Sequence, residues 1–195
     1  MDVKMSAVLG LFCVVLPLFL LLLSYHLVVS VTSLSPEQEK WMSYFNDKGR
    51  TAVIQGNYTS LELSHMDDVK IVIQKVERVF WGVMGAGLLL AGYLYRRKEI
   101  GRALGYAGIT TIGCGIIILV WAMGDFNSLF TLFHLSLFSQ GNWQFGADSL
   151  LIQTFPLDFF IGMSVKIFGL MLVLAGVAMG AGYWLEKNKN PNRSI

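Results

Sequence analysis

The sequence predicts an all-α membrane protein: four transmembrane helices carrying a small extracellular cap of short helices, with room for a short hairpin. Of 195 residues, 54% are hydrophobic and only 14% charged, against about 25% charged in an ordinary soluble domain, and the mean hydropathy is +0.57. Four windows, residues 7–31, 79–95, 103–123 and 161–185, hold the roughly 20 mostly apolar residues that a helix needs to cross a bilayer. Charge is sorted rather than scattered. Residues 96–102 hold four basic side chains, Arg96, Arg97, Lys98 and Arg102, while residues 124–160 hold no Lys or Arg. High apolar content excludes a disordered chain, two cysteines exclude a disulfide scaffold, and the glycines lack the three-residue period of collagen. A net charge of +2 is too balanced for an electrostatic nucleic-acid binder.

The first window is too long for the apolar region of a cleaved signal and is read as an anchor. The basic loop 96–102 and the tail 186–195, with Lys187, Lys189 and Arg193, put both termini in the cytoplasm by the positive-inside rule. Residues 32–78 and 124–160 then face outward, and the whole chain forms one membrane domain. Cys13 and Cys114 fall inside spans and read as small apolar packing residues. Spacings such as Gly82/Ala86 and Gly176/Gly180 predict close helix packing. The spans carry too little polarity for a midplane ion path, which disfavours a pump.

In the first outer segment, Ser35-Pro36-Glu37-Gln38 is a helix start, with a serine cap, proline at the first position and glutamine at the third. Trp41, Tyr44 and Phe45 give that helix an aromatic face. Residues 51–63 are rich in β-formers around the turn pair Gly56-Asn57, which predicts the hairpin. Ser64 then caps a helix with Asp67 at its third position and apolar residues at Val69, Val72/Ile73, Val76 and Val79/Phe80. His65 would lie at that helix's N-terminus, where the dipole disfavours an imidazolium.

The second outer segment holds eight of the thirteen Phe, together with Trp143. Phe126, Phe130 and Phe133 share a helical face, with His134 beside them. A loop of this length is more than a connection. Two histidines on two outer segments, each near carboxylates and aromatics, invite a shared site; His26, at the end of the first span, reads as interfacial. No Gly-rich phosphate loop, G-x-S-x-G elbow or H-E-x-x-H pair is present, and neither His65 nor His134 has an aspartate four residues beyond the next. What remains is proton transfer without a nucleophilic serine or cysteine. A metal-dependent hydrolase using His65, His134 and Asp68, and a non-catalytic protein that binds lipid or a partner, are the alternatives.

His65-Met66-Asp67-Asp68-Val69-Lys70, with Phe133-His134, Phe138, Trp143-Gln144-Phe145, Asp148, Leu151-Ile152, Phe155-Pro156 and Phe159-Phe160, resembles the bacterial lipoprotein intramolecular transacylase family. The resemblance runs over nearly the whole chain. It implies a multi-pass enzyme of the bacterial plasma membrane that acts on diacylated lipoproteins among membrane lipid, with no cofactor and no metal. The implied reaction moves the sn-2 acyl chain of an S-diacylglyceryl cysteine to the same cysteine's α-amino group. His65 and His134 are implied as the catalytic pair at the junction of cap and membrane, His65 as base and His134 as acid or oxyanion donor, or with these roles exchanged. Asp68, Lys70, Phe130, Phe133, Trp143, Asp148 and Phe155 are expected around the substrate, the aromatic ones as walls of a water-poor pocket.

Overall fold

The computed structural model describes residues 3–47, 56–138 and 140–189. Six helices follow one another: α1 (Val3–Val31), α2 (Pro36–Asn46), α3 (Ser60–Arg96), α4 (Ile100–Leu137), α5 (Leu150–Thr154) and α6 (Leu157–Lys189). α1, α3, α4 and α6 are each long and apolar enough to cross a membrane. Large apolar side chains such as Leu88, Leu89, Ile117, Val120, Val173 and Val177 are exposed on them, which lipid tolerates and water does not. The protein is a multi-pass, all-helical membrane protein. Its chain divides into two compact units, and α1, by its last two residues, α3, α4 and α6 contribute to both.

The first unit takes in the stretches up to Val29, Val79–Val120, and from Val165 onward. Leu9 and Phe12 of α1 bury against Leu94, Ala103 and Ala107, while Leu20 meets Met171 and Ala175. α3 and α4 are joined by a tight turn in which Lys98 adopts φ 59° and Glu99 N–H bonds back to Leu94 O at 2.9 Å. The closest approach is a glycine seam between α4 and α6. A Cβ on Gly182 would lie 2.6 Å from Gly101 O and 2.9 Å from Gly105 N; one on Gly108 would lie 3.0 Å from Met179 Cβ; one on Gly115, 2.7 Å from Met171 Cε. Lipid supplies no hydrophobic drive for association, so contact at this range has to come from side chains too small to intervene. The predicted pairs are not the ones used: Gly82, Gly176 and Gly180 face open space within 4 Å. Spacing marks a small-residue stripe without saying which stripe meets a neighbour.

The second unit comprises Ser30–Arg78 and Trp121–Ser164. α2 begins with a reciprocal capping box, Gln38 N–H donating to Ser35 Oγ at 3.3 Å and Ser35 N–H to Gln38 Oε1 at 3.0 Å. Its aromatic face buries Trp41 and Phe45 against Tyr58, Met66, Leu151 and Phe155. Polar atoms in that core are paired in series. Trp41 Nε1–H donates to Tyr58 OH at 3.1 Å, Tyr58 OH lies 3.2 Å from Thr154 Oγ1, and Thr154 Oγ1 donates to Leu150 O at 2.8 Å.

Two expectations are corrected in this unit. α3 starts at Ser60, so Ser64 is inside the helix rather than capping it. The cap is Thr59, whose Oγ1 accepts from Glu62 N–H at 3.2 Å while Glu62 Oε2 accepts from Thr59 N–H at 2.7 Å. Residues 60–63 of the predicted hairpin are therefore the first helical turn, and no strand occurs among the described residues; residues 51–55 lie outside them. Glu62, 2% exposed, also accepts from Ser149 Oγ and from Leu151 N–H at 3.0 Å, which fastens the start of α3 to the start of α5. α4 breaks at Asp125 (φ −154°, ψ 82°), whose carboxylate accepts from Ser128 N–H at 3.0 Å and starts a fresh helical run. That run carries His134.

Gly182→Ala is expected to destabilise the protein by about 1–3 kcal/mol, because the new methyl meets backbone atoms that cannot step aside. Gly180→Ala should leave the melting point in detergent unchanged, and equal melting of the two variants would remove the seam from the account. Burial would raise the Glu62 pKa, but the hydrogen bonds from Ser149, Leu151 and Thr59 outweigh it and hold it at about 2. A carboxyl depressed in the folded state contributes stability that is complete above about pH 4.5 and drains away as pH falls toward 2. Glu62→Gln should cost about 2–3 kcal/mol at neutral pH and flatten melting against pH in that window, as read by differential scanning fluorimetry.

Candidate active site

His65 is the sixth residue of α3, and His134 stands on the run after the Asp125 break, so two elements distant in sequence present one imidazole each. Their ring centroids are 6.2 Å apart with planes inclined by 28°. Both rings are buried, 6% and 7% exposed. Phe138 touches both, at 4.9 Å from His65 and 5.4 Å from His134. Phe145 lies 5.7 Å from His65; Phe130, Trp143 and Phe133 lie 4.0, 4.9 and 5.5 Å from His134. The pair thus sits within a shell of aromatic rings.

Charge is disfavoured there. Both imidazoles lie outside the four apolar windows. Burial first and the neighbouring His134 second push the His65 pKa down to about 4, against an opposing pull from Asp68. Burial likewise lowers His134, opposed by its hydrogen bond to a backbone carbonyl. Since His65 begins the second turn of α3, burial rather than a helix terminus keeps its ring neutral. The His134 tautomer is fixed by its partner: Nδ1 lies 2.8 Å from Phe130 O, a carbonyl can only accept, and so Nδ1 carries the proton and Nε2 the lone pair. His65 Nδ1 is buried without a hydrogen-bond partner among the described residues.

The remaining predicted residues divide. Phe130, Phe133 and Trp143 are in ring contact with His134. Asp68, one turn beyond His65, accepts from Asn142 Nδ2 at 2.9 Å. Lys70 turns to α2 instead, its buried ammonium 4.0 Å over the Tyr44 ring, whose hydroxyl donates to Asp67. Phe155 belongs to the Trp41 core and meets the site's rings through Phe160, 6.5 Å from it and 5.3 Å from Phe130. Asp148 is exposed and lines, with Glu62 and Phe145, a neighbouring cleft of about 280 Å³. Among the described residues, no three His, Cys, Asp or Glu side chains gather as a metal site. Glu62 and Asn142 escape the sequence reading. The Thr59-Ser60-Leu61-Glu62 capping signature could have revealed the first; no local pattern marks the second.

His26, by contrast, stacks on Phe80 at 4.3 Å in the first unit, its Nδ1 2.7 Å from Leu22 O.

Comparison with known proteins agrees with this architecture. No curated protein sequence matches the chain. Among solved structures, the in meso structure of the membrane integral lipoprotein intramolecular transacylase Lit from Bacillus cereus superposes with a TM-score of 0.84 at 18% identity, covering 96% of this chain and 98% of the other. Two forms of that protein with one histidine replaced, by arginine and by alanine, each superpose at 0.78, again at 18% identity and 96% of this chain, with 94% and 96% of theirs covered. At this identity the likeness establishes the fold. The family model for lipoprotein intramolecular transacylase Lit matches residues 22–160, which is most of the sequence and spans both histidines, and the chain belongs to that family.

Proposed function

We propose that this protein moves the sn-2 acyl chain of a lipoprotein's S-diacylglyceryl cysteine onto that cysteine's own α-amino group, leaving an N-acyl S-monoacylglyceryl product. The observation that carries the reading is the pair of buried, uncharged imidazoles 6.2 Å apart within a shell of aromatic rings. At that separation the rings are too far apart to hydrogen-bond each other, yet close enough to serve two atoms around one tetrahedral carbon. Donor ester and acceptor amine lie on the same substrate, so no acyl-enzyme is needed. Proximity alone can supply about 7–11 kcal/mol.

The two histidines differ in what they can do. His134 offers an Nε2 lone pair, and its Phe130 hydrogen bond supports the protonated ring. His65 makes no such hydrogen bond, and a charged His134 repels its imidazolium more than Asp68 attracts it. The roles are therefore read with His134 as base. As the amine nitrogen bonds to the ester carbonyl carbon, His134 Nε2 takes one amine proton. It returns that proton to the sn-2 oxygen when the carbon–oxygen bond breaks. Neutral His65 donates its N–H to the oxyanion. Phe130, Phe138, Trp143 and Phe145 keep water from competing with the amine. With residues 124–160 free of Lys and Arg and residues 96–102 basic, the same reading puts the termini in the cytoplasm and the site on the extracellular side. Diacylated lipoproteins are its partners.

Incubation with a diacylated lipoprotein should leave the mass of its N-terminal peptide unchanged while its fragmentation spectrum moves one acyl group to nitrogen. His134→Ala should slow this conversion by about 10²–10⁴-fold and His65→Ala by about 10²–10³-fold. Undiminished conversion in both variants would overturn the reading. For pH, an unfolded histidine takes its proton near 6.5 and folded His65 only near 4. The unfolded chain binds more protons between those values, so His65's contribution to stability is complete above about pH 6.5 and is lost as pH falls toward 4. Labelled-histidine NMR should find this ring neutral at pH 5.5, and an ordinary titration near 6.5 would contradict its burial.

A further inference from the structure

The side-chain amide of Asn142, beside His65, has only half of its hydrogen bonding made. Its Nδ2 donates to Asp68 Oδ2 at 2.9 Å and to Ser64 Oγ at 3.4 Å. A carboxylate only accepts, so the amide cannot be turned the other way round. Ser64 and Asp68 stand immediately before and one turn after His65 on α3, and the residue after Asn142, Trp143, lies against His134 with ring centroids 4.9 Å apart. The amide is therefore held against the helical turn that presents one imidazole, in the loop that covers the other. The preceding Gly141, at φ 71°, supplies the left-handed backbone for this turn. Asn142 Oδ1 is buried with no hydrogen-bond partner among the described residues, an arrangement that is costly if nothing arrives to fill it.

Oδ1 accepts and cannot donate, so its partner must bring a hydrogen. A diacylglyceryl group offers only ester oxygens, a thioether and hydrocarbon. The donor at its reacting end is the α-amine, which carries two hydrogens while its lone pair attacks. One of these leaves for the base. We propose that Asn142 is a substrate-binding residue whose Oδ1 accepts a hydrogen bond from the other, aiming the amine's lone pair at the ester carbonyl. This rests on the transacylase reading above.

The test uses the full-length protein in lipid nanodiscs with two unreactive peptides carrying ether-linked chains, one with the α-amine and one in which hydrogen replaces it. The wild-type protein should bind the amine peptide about tenfold or more tightly than its counterpart. Asn142→Ala should shrink that ratio at least about fivefold. Asn142→Asp is made together with Asp68→Asn, which exchanges donor and acceptor across that contact and keeps a free acceptor at 142; this double variant should hold at least about half of the wild-type ratio. An unchanged ratio in Asn142→Ala overturns the proposal. Equal loss in both variants, or failure of either to fold, makes Asn142 a strut for the loop and overturns it as well. Conversion of an ester-linked substrate by the wild-type protein is followed alongside: without it the transacylase reading falls and takes this proposal with it, whereas conversion with an unchanged ratio removes Asn142 alone.

Discussion

A chain that passes through lipid has to satisfy its polar groups from within, because no solvent is present to do so. The second unit extends that demand from backbone to side chains. Glu62 gathers donors from Thr59, Ser149 and Leu151 around one buried carboxylate, and Trp41, Tyr58 and Thr154 pass hydrogen bonds along a line that ends on a backbone carbonyl. Against this background, polar atoms left without partners stand out. Among the described residues of this unit they are His65 Nδ1, Lys70 Nζ and Asn142 Oδ1. Lys70 has an aromatic face beneath it. Of the other two, one belongs to His65 itself and one to the amide held against the turn that carries it.

Aromatic rings do two jobs here. Around His134, Phe130 and Trp143 keep the imidazole dry, which lowers its pKa and leaves a lone pair available near neutrality. Around Trp41 they build the core that holds α2 against α5. Phe155 was expected at the first of these places and serves the second, with Phe160 joining the two sets of rings.

Much of this was legible in the residues. Four apolar stretches follow from a bilayer's thickness, and the cap of α2 follows from Ser35, Pro36 and Gln38, because each acts within one helical turn. His65 and His134 attract notice because ionisable groups are scarce in so apolar a chain. Less local features were not legible. The start of α3 was obscured because β-formers around Gly56-Asn57 competed with the Thr59/Glu62 box, and the box gains from a Ser149 and a Leu151 that sequence cannot bring near. Glycine spacing could not choose between Gly180, which faces open space, and Gly182, which meets Gly101. Asn142 is brought to the turn that carries His65 by Ser64 and Asp68, 78 and 74 residues away.

The break at Asp125 decides which side chains turn together. Within an unbroken helix, one inserted residue turns everything beyond it by about 100°, so in α3 the azimuth of His65 is locked to those of Asp68, Val69 and Ile73. In α4 the non-helical residue at 125 ends one helical phase and starts another, on which Phe126, Phe130 and His134 stand together. A residue inserted at that joint would leave Phe130 and His134 in the same phase as each other, whereas one inserted between His65 and Asp68 would turn the carboxylate away from its histidine.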